Sequence, residues 1–189
     1  GALAGAATYL SRFFVANPIL FLKELDLLAA KGVTPTVYVD PASPVTTPYD
    51  MMINQIVERE RGGGRHGSCG IGFGETLERN QDGRFALTVA DLADPSMLTN
   101  RLDAIRREYA PARLARLGVA HTFEAHTDLF RSDAILEHYV DDARRFLDAT
   151  ITAEARAAIG DRPLVFEGAQ GLLLDQDRGC FPHVTRSNT

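Results

Sequence analysis

The sequence predicts an α/β chain with helices inserted between an early strand and a late one, and three patterns carry that reading. Residues 18 to 31, PILFLKELDLLAAK, repeat apolar side chains at helical spacing. Residues 34 to 39, TPTVYV, are β-prone, and Leu164, Val165 and Phe166 form a short apolar run before the closely spaced Gly168 and Gly171. Asn17 suits the N-cap of the first helix, Pro18 its first position and Gly32 the place just past its end. The strand at 34 to 39 ends at Asp40-Pro41, where the proline disfavours helix in the residue before it and a turn begins. Tyr49 to Arg61 reads as a helix, stopped by Gly62-Gly63-Gly64, a triple glycine expected to act as a mobile joint. Pro95 to Arg107 and Asp133 to Thr150 carry helical periodicity, and Ala153 to Ile159 gives a short helix before Gly160 and the strand at 164. The simplest organisation is a helical insertion over about 95–160 between the two strand regions.

Composition narrows the function classes. A length of 189 residues can bury a real core, and 45% hydrophobic with 24% charged residues is ordinary for a soluble globular protein. The net charge of -5 argues against nonspecific nucleic-acid binding, which needs a basic footprint. Cys69 and Cys180 stand far apart without Cys-x-x-Cys spacing, so neither a zinc ribbon nor a redox pair is indicated, and a reducing cytoplasm is expected. The start, GALAGAATYLSRFF, lacks the basic cluster of a signal peptide, and no run of 18 apolar residues occurs.

The chemistry-bearing residues concentrate in two stretches. Residues 164 to 189, LVFEGAQGLLLDQDRGCFPHVTRSNT, place Gln170, Asp175, Asp177, Arg178, Thr185, Ser187 and Asn188 just beyond a strand and a glycine turn. Ligands of open α/β sheets sit at such strand ends, and this set of amide, carboxylates, guanidinium and hydroxyls suits a polar, phosphorylated small molecule. The other stretch is Arg65-His66-Gly67-Ser68-Cys69-Gly70-Ile71-Gly72-Phe73-Gly74-Glu75, whose backbone N–H groups could cradle a phosphate. Asp175 and Asp177 could face one metal ion, although a structural ion pair beside Arg178 explains them more simply. His121 and His126, in HTFEAHTD, have a spacing that suits neither a helical His-x-x-x-His site nor a zinc finger, and they read as surface residues.

The order GAQG at 168 to 171, LLLDQD at 172 to 177 and the Gly, aromatic, Pro, Val-Thr, Ser-Asn-Thr tail through 189 resembles the adenylosuccinate synthetase family. The resemblance runs from about Pro18 to Thr189 and is closest in the last 26 residues. It implies a segment of a P-loop-type mixed-sheet domain, with residues 1–189 as one partial domain. It also implies that Gln170 contacts the purine near its six-position oxygen, an amide donor stabilising a developing oxyanion, and that Thr185 holds the nucleotide 5′-phosphate. Gly70-Ile71-Gly72 fits the family's nucleotide loop, whereas Gly67, Ser68 and Cys69 replace its Thr-Gly-Arg. Ser68 would then supply the hydroxyl, with His66 as a further donor. An arginine that reaches the neighbouring subunit's nucleotide has Arg79 as its nearest candidate and Arg84 as a second. His183 and Cys180 depart from the aromatic residue and threonine usual at their positions.

Family members begin with a phosphate loop carrying a catalytic aspartate, followed by a catalytic histidine, and finish with aspartate-binding and guanine-recognition elements. None of these is found in the sequence, and lysines only at 23 and 31 leave no Walker-type Gly-Lys. The expectation is a middle segment of a GTP- and magnesium-dependent ligase. Its parent joins L-aspartate to IMP in purine biosynthesis and forms a homodimer with an arginine crossing the interface, and the segment alone is catalytically silent. Magnesium would neutralise the transferred phosphoryl group at a site outside this segment. A diverged ligase acting on dGMP, motivated by the altered Gly67-Ser68-Cys69, and a noncatalytic nucleotide-binding module are the alternatives.

Overall fold

Among the described residues the backbone is organised around three very short parallel strands, with most of the helices inserted between the second and the third. A computed structural model describes residues 1–62, 69–168 and 171–185. Strand β1 (Thr8–Leu10) pairs in parallel with β2 (Val37–Val39), Thr8 opposite Val37 and Leu10 opposite Val39. Strand β3 (Ile151–Thr152) joins the other edge of β2, Tyr38 opposite Ile151, to give the order β1-β2-β3. Beyond the strands, Ala16 bridges Val45 in parallel and Pro44 bridges Thr88 antiparallel.

Helix α1 (Pro18–Ala29) links β1 to β2, and its ends follow the sequence signals. The Asn17 side chain accepts the Leu20 N–H at 3.2 Å, Pro18 occupies the first position, and Gly32 takes a positive φ of 72° beyond the end. Helix α2 (Pro48–Glu60) opens on a capping box, with Thr47 and Asp50 each satisfying the other's backbone N–H. After α2 come α3 (Phe73–Arg79), α4 (Pro95–Ala104), a π-helical turn (Ile105–Tyr109) and α5 (Ala110–Arg116). Short helices α6 (His121–Ala125) and α7 (Thr127–Arg131) lead into α8 (Asp133–Asp148), and α9 (Ala155–Ile159) follows β3.

The periodicity from Pro95 does not stop at Arg107 but runs on to Arg116. Pro111 explains the π turn directly before it, because proline has no N–H and its ring would strike the carbonyl four residues back. The helix absorbs this by widening one turn, in which the Ala110 N–H reaches Ile105 O. The core lies beneath this long helix. Leu98, Leu102, Ile105, Ala110 and Leu114 meet Tyr49 and Ile53 of α2 and Leu136, Tyr139, Ala143 and Phe146 of α8. On α8 those four recur every three or four residues, which puts them on one face. Phe146 also meets Phe21 of α1 edge-on, with ring centroids 4.9 Å apart.

The strand expected at 164 is not formed. Residues 162–168 run without regular structure, with Val165 95% and Phe166 90% exposed. Among the described residues, no helix is long and apolar enough to cross a membrane.

Tyr109 is buried, and its hydroxyl has no hydrogen-bond partner among the described residues. Burial pushes the phenol up to about 12, with Arg113 opposing and Glu75 and Asp50 adding to the rise. The folded value lies above the ordinary 10.0, so the unfolded chain loses its proton first as pH rises. The contribution is therefore complete below pH 10 and is lost as pH climbs towards 12. Tyr109→Phe is expected to be nearly neutral at pH 7 and to lessen the alkaline loss. Urea midpoints taken across pH 9 to 12 check this, and an unchanged alkaline slope would count against it.

Candidate functional site

The site grows from the start of α2, where one carboxylate does several jobs. Asp50 is completely buried and accepts the Thr47 N–H at 2.8 Å and the Thr47 hydroxyl at 2.9 Å, closing the cap of α2. The same carboxylate takes Arg79 of α3 in fork geometry, Nε to Oδ1 at 2.9 Å and Nη2 to Oδ2 at 2.9 Å. Arg79 also donates to Phe85 O at 2.6 Å and Val45 O at 2.7 Å. Burial works against its charge, but the Asp50 carboxylate overrides this and raises the guanidinium above its ordinary pKa.

Other polar bonds fasten α3 on both sides. The Thr76 hydroxyl bridges Gly72 O at 2.9 Å and the Thr46 hydroxyl at 2.8 Å, and Tyr139 of α8 donates to Thr46 O at 2.6 Å. Arg113 of α5 reaches back to Glu75 at 2.7 Å and Glu78 at 3.0 Å. Helix α3 is only seven residues long, so this polar frame, rather than its own propensity, holds it in place.

What the frame holds is the turn Gly70-Ile71-Gly72, packed against the side of α2. Gly70 and Gly72 both take left-handed conformations, φ 69° and 81°. Any side chain at Gly72 would meet the Met51 backbone nitrogen at 2.8 Å, so only glycine lets the turn lie this close. Gln55 donates its amide N–H to Gly70 O at 3.0 Å, and the Gly72 N–H donates to Asn54 Oδ1 at 3.2 Å. Cys69 is exposed and Ile71 is 38% exposed, so the turn's outer side faces solvent.

Of the residues expected to meet ligand, Gly70 lies on this turn, while Ser68 and Gln170 fall outside the described residues. Thr185 ends a separate small framework at 172–185, where its N–H and hydroxyl both donate to Leu174 O, at 2.9 and 3.2 Å. Arg79, the first candidate for an arginine reaching a neighbouring subunit, lies wholly buried in this chain, its guanidinium bonded to Asp50 and two carbonyls. Arg84, the second candidate, is the surface residue of the two, paired with Glu108 and stacked over the Phe85 ring.

The acidic pair at 175 and 177 serves a turn. The Asp175 carboxylate accepts the Asp177 and Arg178 N–H groups at 2.8 and 2.9 Å. His121 lies 3.2 Å from Glu60 and His126 2.8 Å from Thr122 O, so the two rings are engaged at different places. Among the described residues, no three His, Cys, Asp or Glu side chains converge as a metal site. The residues that sequence reasoning missed are Asp50, Asn54 and Gln55. The Thr47-Pro48-Tyr49-Asp50 box signals a capped helix, but nothing local tells that the next turns of that helix grip a loop.

The family model of adenylosuccinate synthetase matches residues 2–189. Adenylosuccinate synthetase of Paraburkholderia phytofirmans is 34% identical over 189 residues, covering 97% of this chain and 40% of that protein. The Haloarcula marismortui enzyme of the same name is 30% identical, covering 100% of this chain and 42% of its own length. The fully ligated adenylosuccinate synthetase of Plasmodium falciparum superposes with a TM-score of 0.60 at 16% identity, over 96% of this chain and 41% of that one. At that identity the superposition speaks for the fold. The chain thus spans about 40% of the relatives it matches. With the match running from residue 2 to residue 189, the chain belongs to the adenylosuccinate synthetase family.

Proposed function

We propose that the chain is part of a GTP-dependent ligase that joins L-aspartate to the six-position of IMP, giving adenylosuccinate in the route to AMP. The single observation that carries the reading is the family match over residues 2–189. A solvent-facing Gly70-Ile71-Gly72 turn, whose sequence resembles the family's nucleotide loop, supports it. In this reading Ser68 and Gly70 meet the 5′-phosphate with Thr185, and the Gln170 amide points at the six-position oxygen. The reaction has two steps. A base removes the N1 proton while GTP phosphorylates O6, and the aspartate amine then displaces phosphate.

The described acids do not suit magnesium. Glu75 and Glu78 are paired with Arg113, Asp50 with Arg79, and no carboxylate cluster remains among the described residues. Magnesium and GTP belong, in this proposal, to other parts of a longer cytoplasmic polypeptide that works as a homodimer, and the 189-residue segment makes no product alone.

The test is product formation by the complete polypeptide with GTP, magnesium and L-aspartate, offering IMP and dGMP in parallel and identifying products by mass. Adenylosuccinate from IMP is expected. A succinylated product from dGMP alone would move the reading to the diverged ligase, and nucleotide binding without product would leave a noncatalytic module.

A further inference from the structure

We propose that Asn54 and Gln55 of α2 are positioning residues that fix the Gly70-Ile71-Gly72 turn for the nucleotide's 5′-phosphate. The proposal rests on the reading of that turn as part of the nucleotide site. Two neighbouring amides grip the turn with bonds of opposite polarity: Gln55 donates to Gly70 O at 3.0 Å, and Asn54 accepts from the Gly72 N–H at 3.2 Å. Both glycines lie at contact distance from the helix. A Cβ on Gly70 would meet Gln55 Cγ at 3.2 Å, and one on Gly72 would meet the Asp50 carbonyl carbon at 2.9 Å. At Gly72 the contacts are fixed backbone, so glycine there lets the turn lie flat enough for the two amides to reach it.

The clip and the buried frame divide the work. The Asp50–Arg79 pair and Thr76 hold the exit of the turn by fixing α3, whereas the two amides hold the turn itself. Gln55 is exposed, so its hydrogen bond adds little to folding stability. Its value lies in geometry. A glycine turn without side chains samples many conformations, and an anion-binding turn is effective only when its N–H groups are already arranged for the phosphate.

The experiment uses the complete polypeptide and measures kcat and separate KM values for IMP, GTP and L-aspartate. Gln55→Met keeps the length of the side chain and removes the donor. It is expected to raise KM for IMP about tenfold while kcat and KM for GTP stay within about twofold. Its melting temperature should match wild type.

Asn54 supplies a test that plain electrostatics would answer the other way. Asn54→Asp keeps the acceptor for the Gly72 N–H but adds negative charge, and Asn54→Leu removes the acceptor without adding charge. The clip predicts a lower KM for IMP with Asp than with Leu, whereas simple repulsion of phosphate predicts the reverse. An unchanged KM for IMP in Gln55→Met, or KM values for all three substrates rising together with a lowered melting temperature, would overturn the positioning role. If wild type forms product and Gln55→Met is unaffected, the clip alone falls. If wild type forms no product from IMP or dGMP, the ligase reading falls and takes the clip's role with it.

Discussion

Arg79→Met is expected to destabilise the folded protein by about 3–5 kcal/mol, because it leaves the Asp50 carboxylate buried without its counter-charge. Both side chains are wholly excluded from water. The loss also strands Val45 O and Phe85 O, which take two of the guanidinium donors. Asp50→Leu should cost a similar amount by the mirror-image argument and open the α2 cap as well. The double variant, Asp50→Leu with Arg79→Met, leaves no buried charge and is expected to regain much of the loss. It keeps a deficit of about 1–2 kcal/mol from the missing cap, together with the cost of Val45 O and Phe85 O, which still lack the guanidinium donors. Urea midpoints of the three variants give the coupling energy. A cost under about 1 kcal/mol for Arg79→Met would mean that water reaches the pair, contrary to its burial.

Gly72→Ala should be the other large effect, and it falls on the candidate site itself. A left-handed φ of 81° costs an alanine about 1–2 kcal/mol before any contact is considered. Its methyl group would lie 2.8 Å from the Met51 nitrogen and 2.9 Å from the Asp50 carbonyl carbon, and neither backbone atom can swing aside as a side chain would. Forcing them apart adds about 1–3 kcal/mol. The turn must then lift from α2, so the Asn54 bond lengthens and KM for IMP rises along with the loss of stability. Gly74→Ala is the contrast. Its Cβ meets nothing within 4 Å inside α3, and it is expected to stabilise by about 0.5–1 kcal/mol. Equal effects from the two substitutions would contradict the close packing of the turn.

These residues also show what a sequence does and does not disclose. Helix α1 was legible because its boundaries are local: Asn17, Pro18 and Gly32 each act within a turn of where they stand. Strands β1 and β3 hold only three and two residues, too few for an alternation to register. Pro111 reads as a helix breaker, yet a π turn let the helix pass it, since packing on both sides outweighed one missing bond. Arg79 reads as a surface or ligand-binding arginine because its partner, Asp50, lies 29 residues away, and only the fold brings the two together.

The glycine turn was legible as a loop, and Gly70-Ile71-Gly72 matched part of the family's nucleotide loop. Its grip by Asn54 and Gln55 was not, because an Asn-Gln pair on an ordinary helix has no pattern that marks it. The run at 164 to 166 shows the opposite limit. Its apolar residues announce a buried strand, but periodicity says only that something covers them, never what.

The most direct measurement of the central claim is a crystal structure of the complete polypeptide with IMP bound. The account predicts the 5′-phosphate within hydrogen-bond distance of the Gly70-Ile71-Gly72 turn, with the Gln55–Gly70 and Asn54–Gly72 bonds intact and Arg79 still buried against Asp50. IMP seated elsewhere, with the turn open to solvent, would contradict it.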